Sequence, residues 1–277
     1  MNRYLKEQVF PIVLTVFTFL ALSVIFYFLI QLLNLLPSKE KIVPEVRVQD
    51  VLIGLTIYLK TSVDFAIFIG NLMHSNPGWK KRISIETGTA AGNAAGTFVI
   101  LVIWNFFREV PVLMVIMIII ASLVLLKMAQ ESLEEFLVHK ENYQRLHMPV
   151  SFLEKQLEFL NRFTKPFLGL ALPDISITSI KVMGFVGLAI FSFSVPFILG
   201  LDDFAGYIPL FSIVNVYGFA VGVFLGHMLL NISLFLSPEV TVKIVRAPLI
   251  LVLGGLAFVG IALWGFWEVL QIIQQTH

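Results

Sequence analysis

The stretch 198-ILGLDDFAGYIPLF-211 places Asp202 and Asp203 directly behind an apolar run and follows them with aromatic and aliphatic residues. An earlier stretch, 61-TSVDFAIFIG-70, repeats Asp-Phe-Ala inside a second apolar segment. The cost of such carboxylates depends on what surrounds them, and the rest of the chain says what that is. Its 277 residues are 58% hydrophobic and 13% charged, with a mean hydropathy of +0.90. A soluble domain carries about 25% charged residues. The apolar runs reach about 20 residues, the length at which a helix crosses the hydrocarbon core. The expectation is an all-α membrane protein with about seven transmembrane helices.

Those spans are expected at 9–36, 48–74, 83–107, 110–129, 179–210, 214–236 and 246–272. Pro196 and Gly200 predict a kink or break in the fifth. The opening MNRYLKEQVF is basic and then apolar, but the run to Leu36 is too long for a signal peptide and lacks a small-residue cleavage site, so it reads as the first span. One polar region, 130–173, separates spans four and five. Within it, 152-FLEKQLEFLNRFTKPF-167 sets Phe152, Leu153, Leu157, Leu160, Phe163 and Phe167 at helical spacing, with Lys155, Glu158 and Arg162 on the other face. This reads as an amphipathic helix on the membrane surface or as a plain linker helix.

Lys and Arg give the orientation, because cytoplasmic loops carry their excess. With the N-terminus inside, the same side holds Arg3, Lys6, Lys80, Lys81, Arg82, the basic residues of the linker, Lys243 and Arg246. Only Lys39, Lys41, Arg47 and Arg108 lie outside. The net charge of +1 leaves no electrostatic footprint for nucleic acid. The absence of cysteine excludes disulfides, iron–sulfur clusters and thiolate metal sites.

The two Asp-Phe-Ala segments align further. Gly88 follows Asp64 after 23 residues, and 88-GTAAGN-93 then brings Asn93; Gly226 follows Asp203 after 22, and 226-GHMLLN-231 brings Asn231. The repeat unit is three spans. An odd number forces the second copy to enter the membrane from the opposite side, giving a 3+3 inverted repeat plus one extra N-terminal helix, a plan used by secondary transporters with the site where the repeats meet. The expected segments are a peripheral N-terminal helix and loop (1–47), a first repeat (48–130), a cytoplasmic amphipathic linker (131–178) and a second repeat (179–277). Gly88, Gly92 and Gly96, and Gly218, Gly222 and Gly226, recur every four residues and predict close helix packing.

Packing does not account for the acids. A carboxylate in hydrocarbon costs about 3 kcal/mol on insertion scales and takes a functional role by default. The candidates for a cation site are Asp64, Asp202, Asp203 and Glu86, with Asn93 and Asn231 as neutral oxygen ligands and His227 as a ligand or proton relay. Each has a plainer reading. Lys60, four residues before Asp64, forms a structural ion pair with it or competes there with a substrate cation. Asp202 sits inert at the outer interface. Glu86 is a helix N-terminal acid favoured by the dipole, or else a gate or proton carrier on the intracellular side. His227 fills a hydrogen-bonded packing position. Oxygen donors suit hard divalent ions such as Mn²⁺, Ca²⁺ or Mg²⁺, and one histidine extends the range to Cd²⁺ or Zn²⁺.

These residues resemble the LysE-type transporter superfamily, whose branches include cadmium-resistance, TerC-like and cation-exporter proteins. The local likeness lies in 200-GLDDFAGY-207 and 222-GVFLGHMLLNISLFL-236. The resemblance implies that Asp64 and Asp203 match the family's acidic positions and that Asn93 and Asn231 match its polar positions on the next helix. Phe65 and Phe204 stand where many members carry a second polar residue, Val63 stands opposite Asp202, and no E-x-G-D-[KR] motif is present.

The reading is a secondary transporter, an antiporter that exports a divalent cation across the cytoplasmic (inner) membrane in exchange for protons. The cation is the substrate, and no cofactor is implied. Export of a small organic cation or amino acid, and a non-transporting scaffold or accessory role, are the alternatives. No P-loop, HExxH motif or nucleophile–base pair points to an enzyme. The expected partners are the bilayer and the cation; a homodimer stays open, and nucleic acid is not expected.

Overall fold

The computed structural model describes the backbone of residues 9–37, 41–138, 144–171, 184–205, 207–211 and 213–276. Within these ranges, the side chains of residues 63, 64, 144, 163–171, 195, 198–205 and 276 lie outside the description. Among the described residues every regular element is helical: α1 (Phe10–Leu33), α2 (Val48–Thr61), α3 (Val63–Ser75), α4 (Trp79–Phe107), α5 (Pro111–Val138), α6 (Gln144–Ala171), α7 (Phe185–Ala205), a 3₁₀ turn (Ile208–Leu210), α8 (Val216–Leu236), α9 (Pro238–Val245) and α10 (Pro248–Thr276).

Local chemistry explains several boundaries. α5, α9 and α10 begin on proline, whose fixed φ and missing N–H suit the first turn. Asn215 caps α8, accepting from the Tyr217 and Gly218 amides at 3.0 and 3.3 Å, which satisfies two otherwise orphaned donors. Its own amide donates to Val43 O at 2.8 Å and so ties the loop before α2 to the start of α8.

α1, α4, α5, α8 and α10 are each long and apolar enough to cross a membrane, so the chain is a membrane-embedded helical protein. The expected second span is not one straight helix. α2 and α3 form an apolar pair bent by 62°. No proline sits there. Thr61 Oγ1 donates back to Tyr58 O at 3.2 Å beside the bend, a bond that Thr89 also makes to Glu86 O inside the continuous α4. The expected fifth span corresponds to α7, which keeps Pro196 inside one helical range and ends at Ala205, before the 3₁₀ turn. The residues expected at its start, 179–183, lie outside the described residues. α5 continues beyond the expected end at 129, because Lys127 pairs with Glu131 at 3.5 Å and Leu133 and Phe136 are fully buried.

The helices form two compact units. The first comprises the described parts of Met1–Ile103, Ser176–Asp203 and Ile213–Val245. In it α8 packs on α2, and α1 lies along α8. Both glycine stripes serve close approach, as expected. A Cβ at Gly222 of α8 would overlap the Val51 carbonyl of α2, and one at Gly92 of α4 would overlap the Phe193 carbonyl of α7.

The second unit comprises the described parts of Trp104–Ile175, Phe204–Ser212 and Arg246–His277. Its axis is the α5–α10 pair, with α6 packed along α5. The core gathers Leu125, Leu133, Phe136, Val150, Leu157 and Phe258. The single apolar face expected on α6 is divided in two. Val150 and Leu157 are buried in this core and Leu153 packs against it, while Met148, Phe152 and Phe159 are exposed. α6 therefore turns one apolar face to the protein and leaves a second apolar strip exposed.

Candidate functional site

The polar chemistry of the first unit converges on Glu86. Its helix, α4, begins at Trp79, so Glu86 lies about two turns in and its side chain is fully buried. This corrects the dipole reading, because the macrodipole acts only within the first turn. Thr18 of α1 donates its hydroxyl to Glu86 Oε1 at 2.8 Å, and Asn231 of α8 donates Nδ2 to Oε2 at 2.7 Å. Both donors are neutral, and no ion pair reaches Glu86 among the described residues.

Asn231 is the hub. Its Nδ2 also lies 3.0 Å from His227 Nε2 and 3.5 Å from Thr89 Oγ1. With the amide donating, Nε2 accepts, and the ring's proton sits on Nδ1. That nitrogen lies 2.9 Å from the Tyr58 hydroxyl of α2, to which Nδ1–H donates. The chain Thr18–Glu86–Asn231–His227–Tyr58 therefore joins four helices, α1, α4, α8 and α2. Asn231 Oδ1 is buried with no hydrogen-bond partner among the described residues. So are Asn93 Nδ2 and, at the α2–α3 bend, Ser62 Oγ. A buried polar atom left unpaired costs about 1–3 kcal/mol; of these three only Asn231 Oδ1 belongs to a residue bonded to Glu86, and an unpaired oxygen beside a buried carboxylate is what a site for a polar guest requires.

Of the residues read from the sequence, Glu86, Asn231 and His227 come together. Asn93 lies on α4 seven residues beyond Glu86, on the same helix face, and is buried without touching the network. Asp64 belongs to α3, and Asp202 and Asp203 to α7, but their side chains lie outside the described residues. The backbone next to Asp64 is placed, however, because Phe65 packs against His227 with ring centroids 6.0 Å apart. Among the described residues no three His, Asp or Glu side chains form a metal-binding group. Most apolar residues of α1, the helix expected to be peripheral, are exposed, yet one side of it reaches the site: Thr18 touches Glu86 directly and Thr15, one turn away, is fully buried. Thr18, Tyr58 and Thr89 were not singled out by sequence. Thr15 and Thr18, spaced one turn apart in an apolar helix, are the one signal that pointed to a polar stripe there; Tyr58 carried none.

A cavity of about 980 Å³ lies at one end of the same unit, lined by Gly70, Met73 and His74 of α3, Arg82 of α4, Leu236 of α8 and Val242 of α9. Comparison with known proteins identifies no relative: no family model, curated protein or solved structure matches the chain.

Proposed function

We propose that the protein is a secondary transporter that exports a divalent metal cation across the cytoplasmic membrane in exchange for protons. The observation that carries this reading is Glu86, a fully buried carboxylate held only by neutral donors where α4, α8 and α1 meet. A group of that kind in a membrane interior needs a positive guest, a proton or a metal ion. Asn231 Oδ1 and the Thr89 and Thr18 hydroxyls are the hard oxygens beside it, and His227 adds a nitrogen. A divalent ion calls for a second carboxylate; Asp64, next to Phe65 at the His227 ring, is the candidate.

The arrangement as seven spans with a 3+3 inverted repeat belongs to the same proposal, as do the cytoplasmic N-terminus and membership of the LysE-type superfamily. Two features support the repeat. The glycine face of α4 meets α7, and the glycine face of α8 meets α2, so the second helix of each copy rests on the first helix of the other. The two aligned positions Asn93 and Asn231 are both buried.

The test is flux in proteoliposomes across a panel of Mn²⁺, Cd²⁺, Ca²⁺ and Mg²⁺ under an imposed pH gradient. Wild type is expected to move at least one of these ions with counter-movement of protons. Glu86→Gln, which keeps the shape and removes the charge, is expected to lower that flux by about 100-fold or more, the loss of about 3 kcal/mol of ion binding. Flux equal to wild type in Glu86→Gln sinks the reading. A scaffold role is the second reading, favoured by the exposed Met148, Phe152 and Phe159 strip of α6. It predicts that mutating this strip abolishes function while Glu86→Gln is silent.

A further inference from the structure

One side of α6 faces no other part of its unit. Val150 and Leu157 enter the core, while Met148, Phe152 and Phe159 stand 83%, 68% and 61% exposed. At about 100° per residue, these three fall within about 40° of one another around the helix, opposite Val150 and Leu157. Lys155 and Arg162 lie within about 40° of the strip on one side, and Arg145 within about 20° on the other. All three cations are exposed, and among the described residues none of them forms an ion pair. The acids Glu158 and Glu154 lie about 80° and 120° round from Met148, with Glu154 near Glu134 of α5. The exposed face is thus apolar along its middle and cationic at both edges.

The level of α6 in its unit says what meets that face. α5 carries no charge from Pro111 to Leu126, then Lys127, Glu131, Glu134 and Glu135. α10 carries no charge from Pro248 to Trp267, and Arg246 just before it pairs with Glu135 at 3.5 Å. Both candidate spans therefore turn from apolar to charged over one stretch. α6 lies against that stretch. Asn161 Nδ2 donates to Gln130 Oε1 at 2.6 Å and to Leu126 O at 3.4 Å, and the His147 ring lies 5.3 Å from that of Phe136. Headgroup depth is where aromatic and basic side chains collect.

We propose that this face of α6 docks on the surface of an anionic bilayer. Met148, Phe152 and Phe159 seat at the acyl boundary, and Arg145, Lys155 and Arg162 donate to lipid phosphate oxygens. Attraction of basic side chains to anionic lipid falls off within a Debye length, so the contact depends on lipid composition and on salt. It does not depend on what Glu86 binds.

The chain has no cysteine, so single cysteines report position without background. Met148→Cys carries a fluorophore on the strip, and Glu158→Cys carries the same fluorophore on the flank away from it. The full chain is reconstituted in vesicles of phosphatidylcholine alone or of phosphatidylcholine mixed equally with phosphatidylglycerol. Brominated acyl chains quench from the lipid side and acrylamide from the water side. In the anionic vesicles the Met148 label is expected to be quenched from lipid and the Glu158 label from water. The lipid-to-water quenching ratio at Met148 is expected to fall by about fivefold for each of Arg145→Gln, Lys155→Gln and Arg162→Gln, the factor one basic residue contributes beside an anionic leaflet. It is expected to fall likewise when phosphatidylglycerol is left out, a comparison that needs no variant. Each variant is checked for a monodisperse profile in detergent. The proposal is overturned if acrylamide reaches the Met148 label as freely as the Glu158 label in anionic vesicles, which returns the strip to the scaffold reading. It is overturned equally by a ratio that neither the lipid composition nor the triple substitution changes.

Discussion

The two units use the same material to different ends. Both are built from long apolar helices, and both bury polar side chains. In the second unit Ser122 Oγ and His147 Nε2 are buried without a hydrogen-bond partner among the described residues, but neither stands beside a buried carboxylate, and other polar groups of the α5–α6–α10 core reinforce packing between helices. Ser132 Oγ donates to Leu251 O at 2.9 Å across the α5–α10 contact, and Asn161 Nδ2 donates to Gln130 Oε1 at 2.6 Å where α6 meets α5. In the first unit the polar groups link side chain to side chain around one carboxylate and leave Asn231 Oδ1, Asn93 Nδ2 and Ser62 Oγ unpaired. Pairing of the first kind serves stability. A partly satisfied network costs stability; what separates the first unit is that its network is built around a buried carboxylate, Glu86.

The packing on which the network stands gives the largest expected effect on folding. Gly222 lets α8 lie against the backbone of α2 at Val51. Gly222→Val places a branched side chain against a carbonyl that cannot yield, and moves His227 and Asn231 away from Tyr58 and Glu86. A loss of about 3 kcal/mol or more is expected, at the upper end for overpacking, read as a fall in thermal stability in detergent together with loss of flux. In the second unit, Gly255 faces the end of the flexible Leu133 side chain, so Gly255→Ala is expected to cost much less. Equal losses at the two glycines would remove the distinction between backbone and side-chain approach.

A smaller pair of substitutions sharpens the contrast in polar groups. Tyr58→Phe removes the hydroxyl from His227 Nδ1 and leaves a ring nitrogen in the buried network without that partner. About 1–3 kcal/mol is expected, the cost of orphaning a buried polar group. Ser132→Ala removes a hydroxyl that donates to a helix carbonyl. About 1 kcal/mol is expected, the ordinary net worth of such a bond. Thermal shifts on purified protein compare them. If Ser132→Ala costs as much as Tyr58→Phe, the first unit's network is no more demanding than the second unit's core.

The sequence made the membrane class, most helix positions and both glycine contacts legible, because these depend on composition and on spacing along one helix. It also named Glu86, Asn231 and His227, since a polar residue in an apolar run is visible without a fold. It did not say that Glu86 is their common point. Its weight fell on Asp64 and Asp203 because the internal repeat singled them out, and Glu86 has no repeat partner: with Gly88 aligned to Gly226, its counterpart is Phe224. Thr18 and Tyr58 were missed for a different reason. Each meets the network across a helix–helix contact that no spacing within one helix encodes. The bend at Ser62 escaped because neither Pro nor Gly marks it in the sequence.

The smallest effect tests whether α6 behaves as surface or as core. Glu154 lies on the side of α6 near Glu134 of α5, and its carboxyl is pushed up from the ordinary range by partial burial first, then by Glu158 and Glu134, against an opposing pull from Lys155. A carboxyl raised in the folded state binds its proton more tightly there than in the unfolded chain. It therefore supports folding at pH values below the unfolded carboxylate range, and that support is lost as pH rises through the raised value. Glu154→Gln removes the loss, so the variant is expected to match wild type near pH 4 and to exceed it slightly at pH 7. Because the group is largely solvated, the gain is a few tenths of a kcal/mol at most, read as a small rise in melting temperature at pH 7 that salt reduces. A gain of the same size at both pH values would mean that the crowding of Glu134, Glu154 and Glu158 is not electrostatic.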